Sequence, residues 1–337
     1  MADKIKKSNN FNMPVLSVAP MMDWTDRHCR AFHRVLTRCT LLYTEMITAP
    51  ALVRGGAGHL LAFDPAEHPV ALQLGGSDPA ELARAARMGS DEGYSEINLN
   101  CGCPSDRVQS GTFGAVLMRA PDRVAEAAAA MIAAQPRPVT VKCRIGVDEQ
   151  VPEIALPAFL EKIAAAGVAR VQIHARKAWL AGLSPKENRD VPPLDYTLVY
   201  RIKTAFPGLH ISINGGVDSL DAAQRHLDTV DGVMIGRAAY QRPYDILAEA
   251  DARIFGSATP VITREQAARA MIDHARRHIA TGGRLHHVTR HMLGLYAGQP
   301  GGRHWRRILS EGASHPDASA DLIETALGAV SDHARAA

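Results

Sequence analysis

Residues able to do chemistry fall in short segments that each follow an apolar run. In Asn98-Leu99-Asn100-Cys101-Gly102-Cys103-Pro104 a thiol sits on a turn shaped by Gly102 and Pro104. A thiol so placed can act as a proton donor or nucleophile, whereas a structural cysteine usually lies inside a strand or helix. Cys101 offers the same chemistry, and a pair of inert thiols is the plainer alternative. Pro138-Val139-Thr140-Val141-Lys142 ends in a lysine that is costly to bury without an anionic partner. A reduced, anionic flavin, with charge near N1 and O2, is such a partner. Gln73 stands where its amide can meet the pyrimidine edge of an isoalloxazine ring, and His174 and Arg176 end another run. A lone strand-end histidine is more often a satisfied structural residue. Asn214-Gly215-Gly216 and Gly236-Arg237 close the last two runs, where glycine backbone and an arginine suit a phosphate.

These residues need strands to hold them. Eight β-branched or apolar runs recur, at 16–21, 41–46, 69–74, 96–100, 138–142, 169–174, 210–214 and 231–236. They read as near-continuously apolar, as parallel strands buried on both faces should, with amphipathic helices between most of them. Asp78-Pro79-Ala80-Glu81 is a helix start. Eight such alternations predict an α/β fold, a (β/α)8 TIM barrel over 15–255, with catalytic residues at the C-terminal ends of its strands. The connections after the fifth strand (144 to about 156) and the sixth (175 to about 196) are the longest, which marks them for substrate contact.

The barrel pattern stops near 255, and 256–337 is predicted to be a small all-helical domain. Net charge is only +3, but from Arg264 to Leu309 nine arginines face one Glu and one Asp, a local balance of +7. A polyanion-binding face fits that balance; a solvated helical surface is the bland reading. Residues 1–14 read as a flexible tail. No run reaches the roughly eighteen apolar residues of a membrane span, so a cytoplasmic protein is expected. Five cysteines without a CxxC pair predict reduced thiols and no structural metal. His287 and His291, four apart, lack the intervening Glu of a metalloprotease motif. No GxGxxG follows a strand, so a nicotinamide must visit the pocket that the substrate uses, and ping-pong kinetics follow.

Longer blocks, among them APMMDWTDRHCR, EINLNCGCPSDRVQSGTFGAVLM, HARKAWLAGLSPKENRDVPPLDY and VTRHMLGLYAGQPGGRHWRR, give the chain a resemblance to the tRNA-dihydrouridine synthases of the bacterial A subfamily. The resemblance implies FMN bound non-covalently by Pro20, Met21, Met22, Gln73, Lys142, His174, Asn214, Gly215, Gly216, Gly236 and Arg237, with NADPH as reductant. It implies Cys103 as the acid that protonates uracil C5 while hydride reaches C6, a role that suits a positioned thiol. It places contacts to tRNA on Asn100, Lys186, Arg189, Arg303 and Arg306, and the target at D-loop uridines 20 and 20a. Cys101 departs from the small aliphatic residue expected there. It adds a thiol to any labelling experiment, as does Cys143. Two other readings remain: a flavin-dependent dehydrogenase of a free pyrimidine or other small molecule, and a nucleic-acid-binding barrel that has lost catalysis.

Overall fold

A computed structural model describes residues 14–105 and 113–336; the expected tail over 1–14 lies outside them except for Pro14. All eight strands form: β1 Val15–Val18, β2 Leu41–Thr48, β3 Val70–Gly75, β4 Glu96–Cys101, β5 Val139–Arg144, β6 Arg170–His174, β7 His210–Asn214 and β8 Gly232–Ile235. Each pairs parallel to the next and β1 pairs with β8, closing the barrel.

One expectation about these strands is corrected. They are not apolar on both faces but alternate with period two. On β4, Ile97, Leu99 and Cys101 join the core shared with the surrounding helices, while Glu96, Asn98 and Asn100 hydrogen-bond to residues of other strands across the barrel interior. On β5, Val141 and Cys143 join the core while Thr140 and Lys142 face inward; on β6, Val171 and Ile173 alternate with Arg170 and Gln172. The apolar part of the interior is a small cluster of Ala19, Leu41, Tyr43, Ala71 and Met234. Buried polar groups are tolerated where partners satisfy them, and here neighbouring strands supply those partners.

Local signals account for the element starts. Asp78 accepts from the N–H of Glu81 at 2.8 Å with Pro79 in the first helical position, opening the helix Pro79–Glu92. The helix after β5 begins at Pro152, so that connection is shorter than expected. The connections after β2 and β4 are long as well, which the sequence reading passed over: 49–69 holds three short helical turns, and 102–120 includes the undescribed 106–112.

Beyond the barrel come the helices Arg264–Ala280, Leu285–Thr289, Gly302–Gly312 and Leu322–Ala336. Within the region expected to be all-helical, the second helix ends at Thr289 and 290–301 runs as turns; Gly294, Gly298, Pro300 and Gly301 fall there. His287 and His291 therefore do not share a helix. The former meets His278 at 3.1 Å and the latter meets Asp26 at 3.0 Å. Trp305 is fully buried and donates to the carbonyl of Met292 at 2.9 Å.

The barrel helix Arg27–Leu36 packs against Arg264–Ala280. Asp26 caps the former through the N–H groups of His28 and Cys29, both at 2.9 Å, and pairs with Arg290 at 2.6 Å. No helix among the described residues is long and apolar enough to cross a membrane.

Candidate active site

Beyond β4 the chain turns sharply, and the side chain of Asn100 holds the turn. Its Oδ1 accepts from the N–H of Gly102 and of Cys103, each at 3.0 Å, and its Nδ2 donates to Gln73 Oε1 at 2.8 Å. Arg144, at the end of β5, donates to the carbonyl of Gly102 at 3.0 Å. Cys103 is thus fixed through its own backbone and that of its neighbour. Its thiol is part-exposed and lies 3.4 Å from Ser105 Oγ.

The ambiguity between Cys103 and its neighbours resolves by position: Cys101 and Cys143 are outward-facing strand residues, whereas Cys103 lies on the turn past the end of β4. Cys101 and Cys143 are fully buried in the outer core, and burial pushes both thiols up, Cys143 to about 12. They are packing residues rather than further thiols for labelling, and the exposed thiol besides Cys103 is Cys39.

Around this turn the inward residues of adjacent strands converge. Strand register sets Asn100 beside Lys142 and His174 beside Asn214. Lys142 Nζ donates to Asn214 Oδ1 at 3.1 Å, and Asn214 Nδ2 donates to the carbonyl of Met234 at 2.8 Å. Burial, then the Arg144 guanidinium, pull Lys142 down to about 8. Burial, then Arg144 and Lys142, hold His174 well below the usual histidine range, so its imidazole is neutral. Its Nδ1 is buried without a hydrogen-bond partner among the described residues.

Gly215 and Gly216 take φ of 107° and 72°, in the region that favours glycine. A Cβ on Gly216 would meet Tyr196 Oη at 2.5 Å and Leu194 Cδ1 at 2.6 Å. Tyr196 donates to the carbonyl of Gly215 at 2.7 Å, which fixes that turn. Beside it, the N–H of Ala19 donates to the carbonyl of Ile235 at 2.8 Å, so Pro20, Met21 and the 56%-exposed Met22 run past Gly236.

The long connection after β6 closes another side of the rim. Its Asn188 is fully buried and ties Trp179, Leu183 and Ser184 together through backbone contacts. Lys186 and Arg189 stand exposed on this loop. Arg237 pairs with Asp190 of the same loop at 2.8 Å. Arg303 and Arg306 lie one turn apart on the exposed face of Gly302–Gly312, with Trp305 and Leu309 beneath. They belong to the C-terminal helices and not to the rim.

Part of the +7 balance is taken up by ion pairs. Four of its nine arginines are paired with carboxylates, each with at least one partner outside 264–309: Arg264 with Asp245, Arg269 with Glu265 and Glu324, Arg276 with Asp273 and Asp321, and Arg290 with Asp26.

This donor set fits a planar heteroaromatic ring with an anionic arm. It combines an orphaned buried imidazole nitrogen, a part-buried ammonium, and a glycine cradle that a side chain would fill. Residues 17–331 match the family model described as Dihydrouridine synthase (Dus). The chain belongs to the dihydrouridine synthase family.

Among curated relatives, the tRNA-dihydrouridine(20/20a) synthase of Vibrio cholerae is 56% identical over 316 residues, 94% of this chain and 96% of that one. The protein of that name from Xanthomonas axonopodis pv. citri is 55% identical over 312 residues, 93% and 92% of the two chains. The solved structure of morphinone reductase matches with a TM-score of 0.50 at 13% identity, covering 73% of this chain and 86% of that one, a likeness of fold alone.

For a dihydrouridine synthase sequence, the residues that pattern reading missed are those beneath the rim: Asn98, Thr140, Gln172, Glu96, Tyr43, Arg170 and Arg144. The signal was present as the alternation in Glu96-Ile97-Asn98-Leu99-Asn100.

Proposed function

We propose that this chain reduces the C5–C6 double bond of tRNA D-loop uridines at positions 20 and 20a to 5,6-dihydrouridine, using FMN and NADPH. The observation that carries the reading is Cys103. This part-exposed thiol sits on a turn clamped by Asn100 and Arg144, in a chain 56% identical over most of its length to a protein named for this reaction.

The residues toward FMN would be Gln73 at the pyrimidine edge, Lys142 and His174 near the ring or phosphate, and the backbone of Pro20, Met21, Met22, Asn214, Gly215, Gly216 and Gly236. Arg237 would meet the phosphate while keeping or exchanging Asp190. The chemistry that FMN would supply is a hydride to uracil C6. Cys103 gives its proton to C5 as that carbon becomes basic and is left as a thiolate. Lys142 would turn its ammonium toward the bound group, while His174, held below the usual histidine range by burial, would present a neutral imidazole. Lys186, Arg189, Arg303 and Arg306 would neutralise phosphates and fix the register of the tRNA, whose target base must leave its stack to reach the ring.

Asn100 spends its Oδ1 on the turn and one N–H on Gln73, and its second N–H would be the group that reaches the tRNA. The division into a barrel over 15–255 and a tRNA-binding unit over 256–337 belongs to this reading, as does a cytoplasmic location.

The test is nucleoside mass spectrometry of unmodified tRNA before and after incubation with the FMN-loaded protein and NADPH, with the site mapped by fragment analysis. Dihydrouridine at 20 and 20a is expected. Its absence, from protein whose flavin NADPH reduces, would redirect the reading to a free small molecule.

A further inference from the structure

Below the rim, a chain of hydrogen bonds has only one possible direction. At the top, the N–H groups of Gly102 and Cys103 can only donate, so the Asn100 atom facing them is Oδ1. Its Nδ2 must then face Gln73 Oε1, at 2.8 Å, and Gln73 Nε2 must face Asn98 Oδ1, at 2.8 Å. That leaves both hydrogens of Asn98 Nδ2 for Thr140 Oγ1 at 2.8 Å and Gln172 Oε1 at 2.9 Å.

At the bottom, a carboxylate imposes the same direction. Glu96, paired with Arg170 at 2.9 Å, only accepts, so Thr140 donates to it at 2.6 Å and Tyr43 donates to the same oxygen. Gln172 Nε2 then donates to Tyr43 Oη at 3.0 Å. The two ends agree without one mismatched joint. Reversing a single amide would set donor against donor and acceptor against acceptor within a fully buried network.

Asn98 is the branch point and is itself 0% exposed. We infer that Asn98 is a positioning residue for this reaction. Through Gln73 it fixes which amide atom, N–H or C=O, faces each group on the edge of the bound ring, and through Asn100 it holds the turn that carries Cys103. This rests on the reading of Gln73 and Cys103 given above. Gln73 keeps one N–H and one lone pair beyond the two used in the chain, the pairing that a neighbouring imide N–H and carbonyl need.

The test compares Asn98→Leu, which removes both amide functions at similar volume, with Asn98→Asp, whose protonated form keeps an acceptor toward Gln73 and one donor below. Four quantities are read: FMN dissociation constant, visible spectrum of the bound flavin, alkylation rate of Cys103 in a Cys39→Ser background, and reoxidation of pre-reduced enzyme by tRNA per bound flavin. For Asn98→Leu the expected result is FMN affinity weakened roughly tenfold, a displaced flavin band, altered alkylation, and reoxidation slowed roughly tenfold or more at unchanged KM for tRNA. Asn98→Asp should restore most of this.

Unchanged FMN affinity, spectrum and per-flavin turnover in Asn98→Leu, with only a lowered melting temperature, would overturn the inference. So would failure of Asn98→Asp to restore, which would make the site one of packing. If Asn98→Leu does not fold, Thr140→Val removes two joints, those to Asn98 and to Glu96, at nearly constant shape. It should move the same readouts two- to threefold, and no movement would overturn the inference. Cys103→Ala is run alongside: normal turnover there would remove the acid assignment, while FMN affinity and spectrum still judge Asn98.

Discussion

Arg144 donates from Nε to the carbonyl of Gly102, the residue just ahead of Cys103, over 3.0 Å. The same guanidinium donates to the carbonyls of Lys177 at 3.0 Å and Asn188 at 2.8 Å. One buried cation therefore joins the turn that carries the thiol to the loop that carries Lys186 and Arg189. Arg144→Lys keeps the charge but loses the fork that reaches three carbonyls. We expect it to lose roughly 2–4 kcal/mol of stability as buried carbonyls go unpaired. Turnover on tRNA should fall further than FMN affinity does. Urea unfolding, steady-state kinetics and flavin titration measure the three, and equal losses of turnover and FMN affinity would show that Arg144 only supports the fold.

Cys103→Ala should bind FMN and be reduced by NADPH at the wild-type rate while failing to turn over tRNA. The thiol has no contact with Lys142, His174 or the glycine cradle among the hydrogen bonds of the site, so its loss should leave them in place. Stopped-flow reduction and tRNA-driven reoxidation separate the half-reactions. Unaltered reoxidation would remove Cys103 as the acid. In the folded wild-type protein, alkylating reagent should reach Cys39 and Cys103 quickly and Cys29, Cys101 and Cys143 only on unfolding, since those three are fully buried.

The arginines of the C-terminal helices are not equivalent. Arg303 and Arg306 are exposed on one face of their helix, whereas Arg276 is engaged with Asp273 at 3.4 Å and Asp321 at 3.0 Å. Each phosphate contact adds about 0.9 to the slope of log K against log salt for a duplex. The double change Arg303→Ala with Arg306→Ala should lower that slope by about two, and Arg276→Ala should leave it nearly unchanged. Equal effects from both would mean that the carboxylates exchange freely for phosphates.

How far such distinctions can be read from sequence depends on how local their causes are. Strand positions were legible because each strand's outward residues are apolar and each turn carries its own glycine, proline or asparagine. Lys142 and His174 announced themselves by being polar at strand ends and Asn214 by the glycine turn it opens, and the structure does bring them together. The interior chain from Glu96 to Asn100 was passed over, since alternation within a run of five residues looks like noise until closure shows that every second residue faces one lumen. Charge partners were beyond reach altogether. Arg290 meets Asp26 across 264 residues, so a balance counted along a window overstates the free charge.

The contact between barrel and C-terminal helices should be sensitive to acid. His28 Nδ1 lies 2.9 Å from His274 Nε2, its ring meets that of His278 edge-on, and Asp26, Arg27 and Arg277 stand nearby. Burial pulls His28 down to about 3 despite the opposing charge of Asp26, and burial does the same to His33; His274 and His278 move in the same direction. In the folded protein His28 and His33 stay neutral down to about pH 3, whereas an unfolded histidine titrates near 6.5. Between pH 6.5 and about 3 the unfolded chain binds more protons, so the stability of the neutral state is complete above 6.5 and is lost as pH falls. Each such histidine contributes a slope of up to about 1.4 kcal/mol per pH unit. Asp26 acts in a different window. Burial raises it, but His291, the Cys29 N–H and Arg290 together hold it well below the carboxylate range, so its stabilisation is lost only below about pH 4. The urea midpoint should thus be flat from pH 7 to 8 and fall from 6 to 4.5. His28→Gln should flatten the fall by about one proton's worth, while Asp26→Asn should lower the midpoint at every pH above 4.5 and leave the slope alone. A slope unchanged in His28→Gln would mean that the contact between the two parts opens before His28 titrates.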